Sequence, residues 1–243
     1  MNELQLTLIL AWYYFDKSNN VESFARRFNQ YFGKDYSAQT ILFSSAKFKN
    51  VDPANNLRQS TPDERYKTLW DKYIVGDKIR ELKELYREFK KGAFSKRMEF
   101  SEESDIRVVK AAQTYEDAPV VKCETNGKLV SAYPRSAQVV SNALHNADYK
   151  CELNCNTELF LRKNSQLNYT EGHHLIPLCY QDEFEYSLDV EANVVSLCPN
   201  CHRRLHYGDD NSELLRELYE SRKERLKKCG IEISFAQLLL MYR

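Results

Sequence analysis

The run Cys198-Pro-Asn-Cys201-His202-Arg-Arg-Leu-His206, read with Glu171-Gly-His173-His174-Leu-Ile-Pro177 upstream of it, decides how the C-terminal part of this chain folds. Cys198 and Cys201 form a CxxC pair, and Cys151 and Cys155 form a CxxxC pair before it. Each pair is a knuckle that can present two thiolates to one tetrahedral zinc ion. Four thiolates leave no ligand position for water, so the expected role is structural, and such a clip contributes folding energy directly. The competing reading makes Cys155, whose knuckle is one residue longer than the usual CxxC, a buried free thiol; the paired spacing favours the clip. Cys123, Cys179 and Cys229 lack a paired neighbour and read as core or surface thiols.

Four of the five histidines fall inside this same segment. His202 and His206 are spaced i, i+4 in a stretch that reads as a helix, so both imidazoles project from one face and can share a divalent ion. His173 is the expected third ligand, arriving from a strand. His174 then points to the other side of that strand, free of the metal and suited to act as a general base. A ligand and a base at adjacent positions suit phosphodiester hydrolysis, in which the base deprotonates water and the metal neutralises charge on the phosphate. Asn193 lies in a loop before Val194, and its side-chain carbonyl is expected to orient the His174 ring. Arg203 and Arg204, between the two helical ligands, can clamp backbone phosphates; solvated helix arginines are the equal alternative. A purely structural second zinc knuckle made by His202 and His206 would leave the His173–His174 pair unexplained.

Composition sets bounds around this site. With 243 residues the chain is long enough for one large domain or two ordinary ones. Lys+Arg and Asp+Glu are equal at 35 each, so a nucleic-acid surface would have to be a local basic patch on a neutral protein. Seven cysteines, four of them in two CxxC-type pairs, with no secretory leader, point to metal binding in a reducing compartment, with the cytoplasm as the default. The apolar stretch Leu4–Leu10 is too short to span a bilayer and has no basic flank, so it reads as a buried helix and no membrane role is expected.

Helical periodicity dominates the N-terminal part. Leu4–Phe15 is apolar on nearly all sides, and Val21–Phe32 places Val21, Phe24, Ala25, Phe28 and Phe32 at helical spacing before the C-cap Gly33. Ser37 caps a third helix to about Lys49. Helix, short turn, helix is the outline of a helix-turn-helix whose second helix would carry Gln39, Lys47 and Lys49 towards a major groove; a plain helical bundle fits the same spacing equally well. Two more helices are expected over Asp63–Tyr73 and Asp77–Lys91. Periodicity then fades from Gly92, and Asn126-Gly127 signals a hairpin between Val120–Lys122 and Leu129–Ala132. Further helices are expected at Ser136–Asp148, at Asn211–Lys228 ahead of Gly230, and at Ser234–Tyr242.

Taken together, Glu171-Gly-His173-His174-Leu-Ile-Pro177, Asn193 and Cys198-Pro-Asn-Cys201-His202-Arg-Arg-Leu-His206 resemble an HNH endonuclease of the ββα-metal fold over roughly Pro134–Tyr207. The resemblance implies His174 as general base, Asn193 as its orienting residue, and His173, His202 and His206 as ligands of a catalytic Mg²⁺ or other divalent transition metal, beside a structural Zn²⁺. Asp often stands in the family where this chain has His173, and a histidine there is similar to the branch shared by nuclease colicins and McrA-type modification-dependent restriction enzymes. Around Phe32-Gly33-Lys34, Ser37, Phe48 and Val51-Asp52-Pro53 the chain also resembles, more loosely, a helical domain found ahead of HNH domains in bacterial restriction-type proteins.

These readings give a mainly helical α+β protein: a helical DNA-recognition domain over residues 1–92, a linker with a hairpin over 93–133, and an HNH domain over 134–243. The implied function is a single-metal endonuclease acting on double-stranded DNA in restriction or defence, with dependence on modified cytosine one option. A homodimer would let one metal site per chain cut both strands. A non-catalytic zinc-containing DNA-binding protein is the alternative, and it gives His174 and Asn193 no task.

Overall fold

The computed structural model describes residues 1–16, 20–55, 61, 63–92, 110, 115–122, 135–163, 165–209 and 211–242. The chain divides into two compact units, Met1–Ser95 and Lys96–Tyr242. The expected hairpin turn at Asn126-Gly127 and the cysteine Cys123 lie outside the described residues. The flanking stretch Val120–Lys122 is described and is not a strand; Val120 O instead accepts a hydrogen bond from Ser187 N at 2.8 Å.

The first unit is built around its most apolar helix. α1 (Glu3–Asp16) is buried continuously from Leu4 to Tyr13, as a helix without a polar face must be when others surround it. α2 (Val21–Phe32) is capped by the Asn20 side chain and stops where Gly33 takes the left-handed conformation, φ 58°, that a side chain disfavours. α3 (Ala38–Phe48) starts at Ser37, whose hydroxyl accepts from Thr40 N. α4 (Glu64–Trp70) runs on into a π-helical turn, Asp71–Val75, where an uninterrupted α-helix to Tyr73 was expected; Gly76 N closes that turn by bonding Asp71 O at 2.7 Å. α5 (Ile79–Lys91) turns Leu82, Leu85, Tyr86 and Phe89 inward and ends at Gly92, also left-handed.

Aromatic rings fill this core. Trp12 stacks on Phe24 at 5.3 Å between centroids, Phe28 meets Phe32 at 4.7 Å, and Phe48 meets Tyr66 edge-on at 4.8 Å. Such offset and edge-on pairs add about 0.5–1.5 kcal/mol each beyond the area they bury.

The second unit carries the small sheet. α6 (Ala137–Asn146) begins at the Ser136 cap and precedes the Cys151/Cys155 knuckle. β1 (Glu171–His174) pairs antiparallel with β2 (Val194–Leu197), in the register Glu171 with Leu197 and His174 with Val194. α7 (Pro199–Tyr207) follows β2 directly, with Cys198 as its N-cap and Pro199 in the first turn, where a missing N–H costs nothing. Strand, strand, helix in this order is the ββα layout expected from the sequence. α8 (Ser212–Lys228) and α9 (Phe235–Met241) complete the unit, α9 opening on a full capping box between Ser234 and Gln237. Tyr115 and Asp117, read from sequence as part of a linker, are tied to α8: the Arg225 guanidinium bonds both Asp117 oxygens, at 2.7 and 2.9 Å. Among the described residues no helix is long and apolar enough to cross a membrane.

Phe48 is fully buried against Tyr13 and Tyr66. Phe48→Ala should therefore cost about 3–5 kcal/mol, read as a fall in the urea midpoint of the first unit.

Candidate metal centre

Two clusters of metal-ligating side chains form among the described residues, both in the second unit: Cys151, Cys155, Cys198 and Cys201, and His173, His202 and His206, each with its ligand atoms within 4.8 Å of one another. No other such group occurs among those residues.

The cysteine cluster joins the segment before β1 to the start of α7. Cys155 Sγ lies 3.8 Å from Cys198 Sγ. Tetrahedral zinc with Zn–S near 2.3 Å requires sulfurs about 3.8 Å apart, so this spacing is the one a zinc clip needs. The additional residue in CxxxC is absorbed by a tight bend in which Cys155 N reaches Leu153 O at 2.7 Å, which brings Cys155 into the cluster. Cys198 Sγ accepts from Cys201 N at 3.3 Å, as a knuckle sulfur does at a helix start. Burial pushes the Cys151 thiol up to about 11 and drives Cys201 higher still. Burial also raises Cys155, but hydrogen bonds from Thr157, Cys151 and Cys201 outweigh it and bring that thiol down to about 7. A divalent cation binds the thiolate form, so its binding would release protons from these buried thiols.

Glu152 locks this clip to the sheet. Its N–H donates to Ser196 O at 2.9 Å, its Oε1 accepts from Ser196 N at 2.7 Å, and its Oε2 pairs with Arg222. The sequence carries no pattern that marks Glu152, because its partners are a backbone in β2 and a side chain far along the chain.

The histidine cluster joins β1, which carries His173, to α7, which carries His202 and His206. His202 Nε2 and His206 Nε2, one turn apart on α7, are 3.2 Å from each other, and the His173 ring centroid lies 5.0 and 4.9 Å from theirs. Tetrahedral Zn–N bonds of 2.0–2.1 Å would set nitrogens about 3.3 Å apart, so the pair fits one ion. The second His202 nitrogen, Nδ1, is 2.6 Å from Glu171 Oε2, and Glu171 Oε1 accepts from the Tyr169 hydroxyl at 3.1 Å. A carboxylate behind a ligating imidazole fixes its tautomer and raises its basicity. The His202 contact also holds the Glu171 carboxyl below the usual carboxylate range, against the opposing effect of burial. Burial pushes His173 well below its ordinary value, with its histidine neighbours adding to the effect, and burial with the charge of His202 brings His206 down to about 4. Both rings are therefore neutral near pH 7, which is the form that binds metal.

His174 sits apart from this cluster, on the far side of the strand. Its Nε2 bonds Asp189 Oδ1 at 2.9 Å, and Asp189 Oδ2 accepts from Ser136 N at 2.6 Å. Burial lowers the His174 pKa even though Asp189 pulls it upward, so the ring is held neutral. With Nε2–H given to Asp189, the lone pair is on Nδ1.

The expectation that Asn193 orients the His174 ring needs correction. Asn193 is completely buried, its Oδ1 accepts from Ile176 N at 2.7 Å, and its Nδ2 donates to Ile176 O and Leu188 O, both at 2.9 Å. The amide is spent on backbone and has no atom left for the ring. Asn193 instead staples the segment leaving His174 to the segment entering Asp189, and its own carbonyl accepts from Leu175 N at 2.8 Å. Asp189, which the sequence reading missed, makes the ring contact.

Of the residues read as DNA-facing, Arg203 and Arg204 are exposed on α7. In the first unit Gln39 and Lys49 are exposed beside a groove of about 690 Å³ that Trp12, Leu42 and Phe43 also line. Lys47 is engaged, 3.8 Å from Asp63 and over the Phe43 and Tyr66 rings. Phe43, 69% exposed, was not singled out from sequence.

Comparison with known proteins agrees with the geometry. Residues 151–208 match the family model described as HNH endonuclease, so the chain carries an HNH endonuclease domain there. A stretch of 92 residues, 38% of this chain, is 37% identical to the "Type IV methyl-directed restriction enzyme EcoKMcrA" of Escherichia coli strain K12. The match spans 31% of that protein's length. No solved structure matches.

Two outcomes follow from this geometry. Cys198→Ser should release one bound zinc per chain by elemental analysis and lower solubility with it; a variant that keeps its zinc would remove Cys198 from the clip. Asn193→Ala strands three buried backbone groups, at a cost on the order of 3 kcal/mol or more, read as a lower Tm while zinc content is unchanged.

Proposed function

We propose that this chain is a metal-dependent endonuclease that hydrolyses phosphodiester bonds in double-stranded DNA and serves in restriction of foreign DNA. The observation that carries the reading is the clustering of three imidazoles with ligand atoms within 4.8 Å of one another, with a fourth, His174, held one residue along by a carboxylate, inside a segment that matches the HNH endonuclease family. A zinc-stapled binding module would have no use for the second arrangement.

In this reading His173, His202 and His206 hold a divalent cation, which when bound offsets the charge that builds on the phosphate and on the departing 3′ oxygen. His174 takes the proton from the attacking water at Nδ1. Asp189 accepts Nε2–H throughout, fixes the tautomer and stabilises the imidazolium that forms, the same task a carboxylate performs behind other catalytic histidines. Asn193 keeps the two in reach of each other through the backbone. Exposed Arg203 and Arg204 on α7 bind phosphates flanking the scissile bond. The cysteine cluster holds Zn²⁺ and has no chemical step. Glu171 acts through His202.

The methyl-directed activity named for the Escherichia coli protein supports a preference for modified cytosine here as well. Reading the modification falls to the first unit, through the exposed face of α3 with Gln39 and Lys49, and a homodimer would cut both strands. In this reading the protein works in the cytoplasm, where foreign DNA arrives and the thiols of the cysteine cluster remain reduced.

Cleavage of methylated and unmethylated plasmid with Mg²⁺, Mn²⁺, Co²⁺ or Ni²⁺ tests the proposal. Wild type should cut in a metal-dependent way and prefer the modified substrate, while His174→Ala should lose at least about 100-fold in rate with fold and zinc content intact. Undiminished cutting by that variant would remove His174 from the mechanism, and tight binding of one DNA without any cutting would leave a zinc-containing binding protein.

A further inference from the structure

We infer that Tyr242, at the end of α9, is a positioning residue for the metal ligand His173: its hydroxyl holds Nε2 of that ring and leaves Nδ1 as the ligating atom. The inference rests on the assignment of His173, His202 and His206 to one divalent ion.

Tyr242 is buried at the end of a helix whose inward residues, Ala236, Leu238, Leu239, Leu240 and Met241, are otherwise apolar. At such a position a phenylalanine would pack as well, and a buried phenol must find partners for its hydroxyl. Here the partners are all at the site. The hydroxyl lies 2.7 Å from His173 Nε2, 2.7 Å from Leu175 O and 3.4 Å from His174 O.

Proton counting then assigns each role. The phenol has one hydrogen, and the Leu175 carbonyl can only accept, so that hydrogen goes to Leu175 O. The short contact to His173 must accordingly be made by an Nε2–H donating to the phenolic oxygen. A neutral imidazole carries a single N–H, so Nδ1 has the lone pair. This is the arrangement found behind metal-ligating histidines generally, in which the nitrogen away from the ion donates to an oxygen of the protein. His202 shows the same division of labour, with Nδ1 on Glu171 and Nε2 on the metal side. Tyr242 thus does for the strand ligand what Glu171 does for the helix ligand. Because the hydroxyl also binds the carbonyl of Leu175, it fixes the ring relative to the strand end that carries it.

The role predicts more than a packing contribution. In Tyr242→Phe the ring volume is kept and only the oxygen is lost. With the cysteine cluster loaded with zinc, Co²⁺ titrated by calorimetry should bind the variant about 10–100-fold more weakly than wild type, with altered visible d–d bands. DNA cleavage should fall at limiting metal and recover largely at saturating metal. A His206→Ala control identifies the binding event as the histidine site. Unchanged Co²⁺ affinity and spectrum would overturn the inference, and so would tighter binding, which would mean that the phenol obstructs the ion. Absence of any Co²⁺ binding at this site in wild type would instead overturn the metal assignment and the inference with it. A second measurement needs no variant: ¹⁵N spectra of the wild-type histidines with Zn²⁺ bound should show His173 protonated at Nε2 and ligated at Nδ1. Ligation through Nε2 would overturn the role of Tyr242 even if Tyr242→Phe did not fold.

Discussion

Two strands of four residues cannot by themselves fix a reacting constellation, and the sulfur cluster is what makes this pair sufficient. Cys151 and Cys155 precede β1, while Cys198 and Cys201 begin α7 immediately after β2. One tetrahedral ion held by these four sulfurs would tie the entrance of the hairpin to the helix that leaves it. Glu152 extends that tie by bonding Ser196 through both backbone and side chain, so the knuckle grips the strand as well. The histidines inherit their precision from this closure. His202 is the residue next to Cys201, and His173 and His174 face Val195 and Val194 across the register.

The periodic parts of this fold were legible in the sequence, and the contacts that tune the site were not. Helices announced themselves through apolar spacing, with Ser37 and Gly33 legible as caps; the structure adds Asn20, Ser136 and Ser234 as side-chain caps at helix starts and Gly92 as a second left-handed helix end. The i, i+4 spacing of His202 and His206 and the adjacency of His173 and His174 likewise convert directly into directions in space. Asp189 had no such marker, since it lies in an irregular stretch 15 residues from the ring it holds. Asn193 was visible as a residue and misassigned in its contact, because a side-chain amide at a strand entrance can serve backbone or ring and only burial decides which. Tyr242 was hidden for a related reason. A tyrosine ending an apolar helix reads as core, and nothing local shows that its hydroxyl meets a histidine 69 residues away.

A neutral chain can still present a phosphate-binding face, since the Debye length of about 8 Å at physiological salt makes the local arrangement of charge matter more than the sum. Arg203 and Arg204 lie between His202 and His206 along one short helix, so the cations that would meet a backbone stand within a turn of the proposed ligands. Two acidic groups bonded to the histidines are occupied: Glu171 by His202 and Tyr169, and Asp189 by His174 and Ser136. Carboxylates consumed in this way organise the site while presenting little free negative charge to a polyanion.

Three of the four imidazoles are held by an oxygen behind the ring, and that partner together with the ring's position sets its proposed use. His202 gives Nδ1 to Glu171, His174 gives Nε2 to Asp189, and His173 gives Nε2 to a phenol. Behind His174, which stands apart from the cluster, the carboxylate charge would stabilise an imidazolium, as suits the proposed base, whereas behind His202 the same charge would raise the basicity of a proposed ligand. The uncharged phenol behind His173 offers no such help, and burial among other histidines opposes its protonation further. His173 is thus disfavoured as a proton carrier and preserved as a neutral donor, although it is adjacent in sequence to the residue best placed to take a proton. Adjacent positions on a strand project to opposite faces, and here those faces meet different oxygen chemistries, so two identical side chains acquire different work.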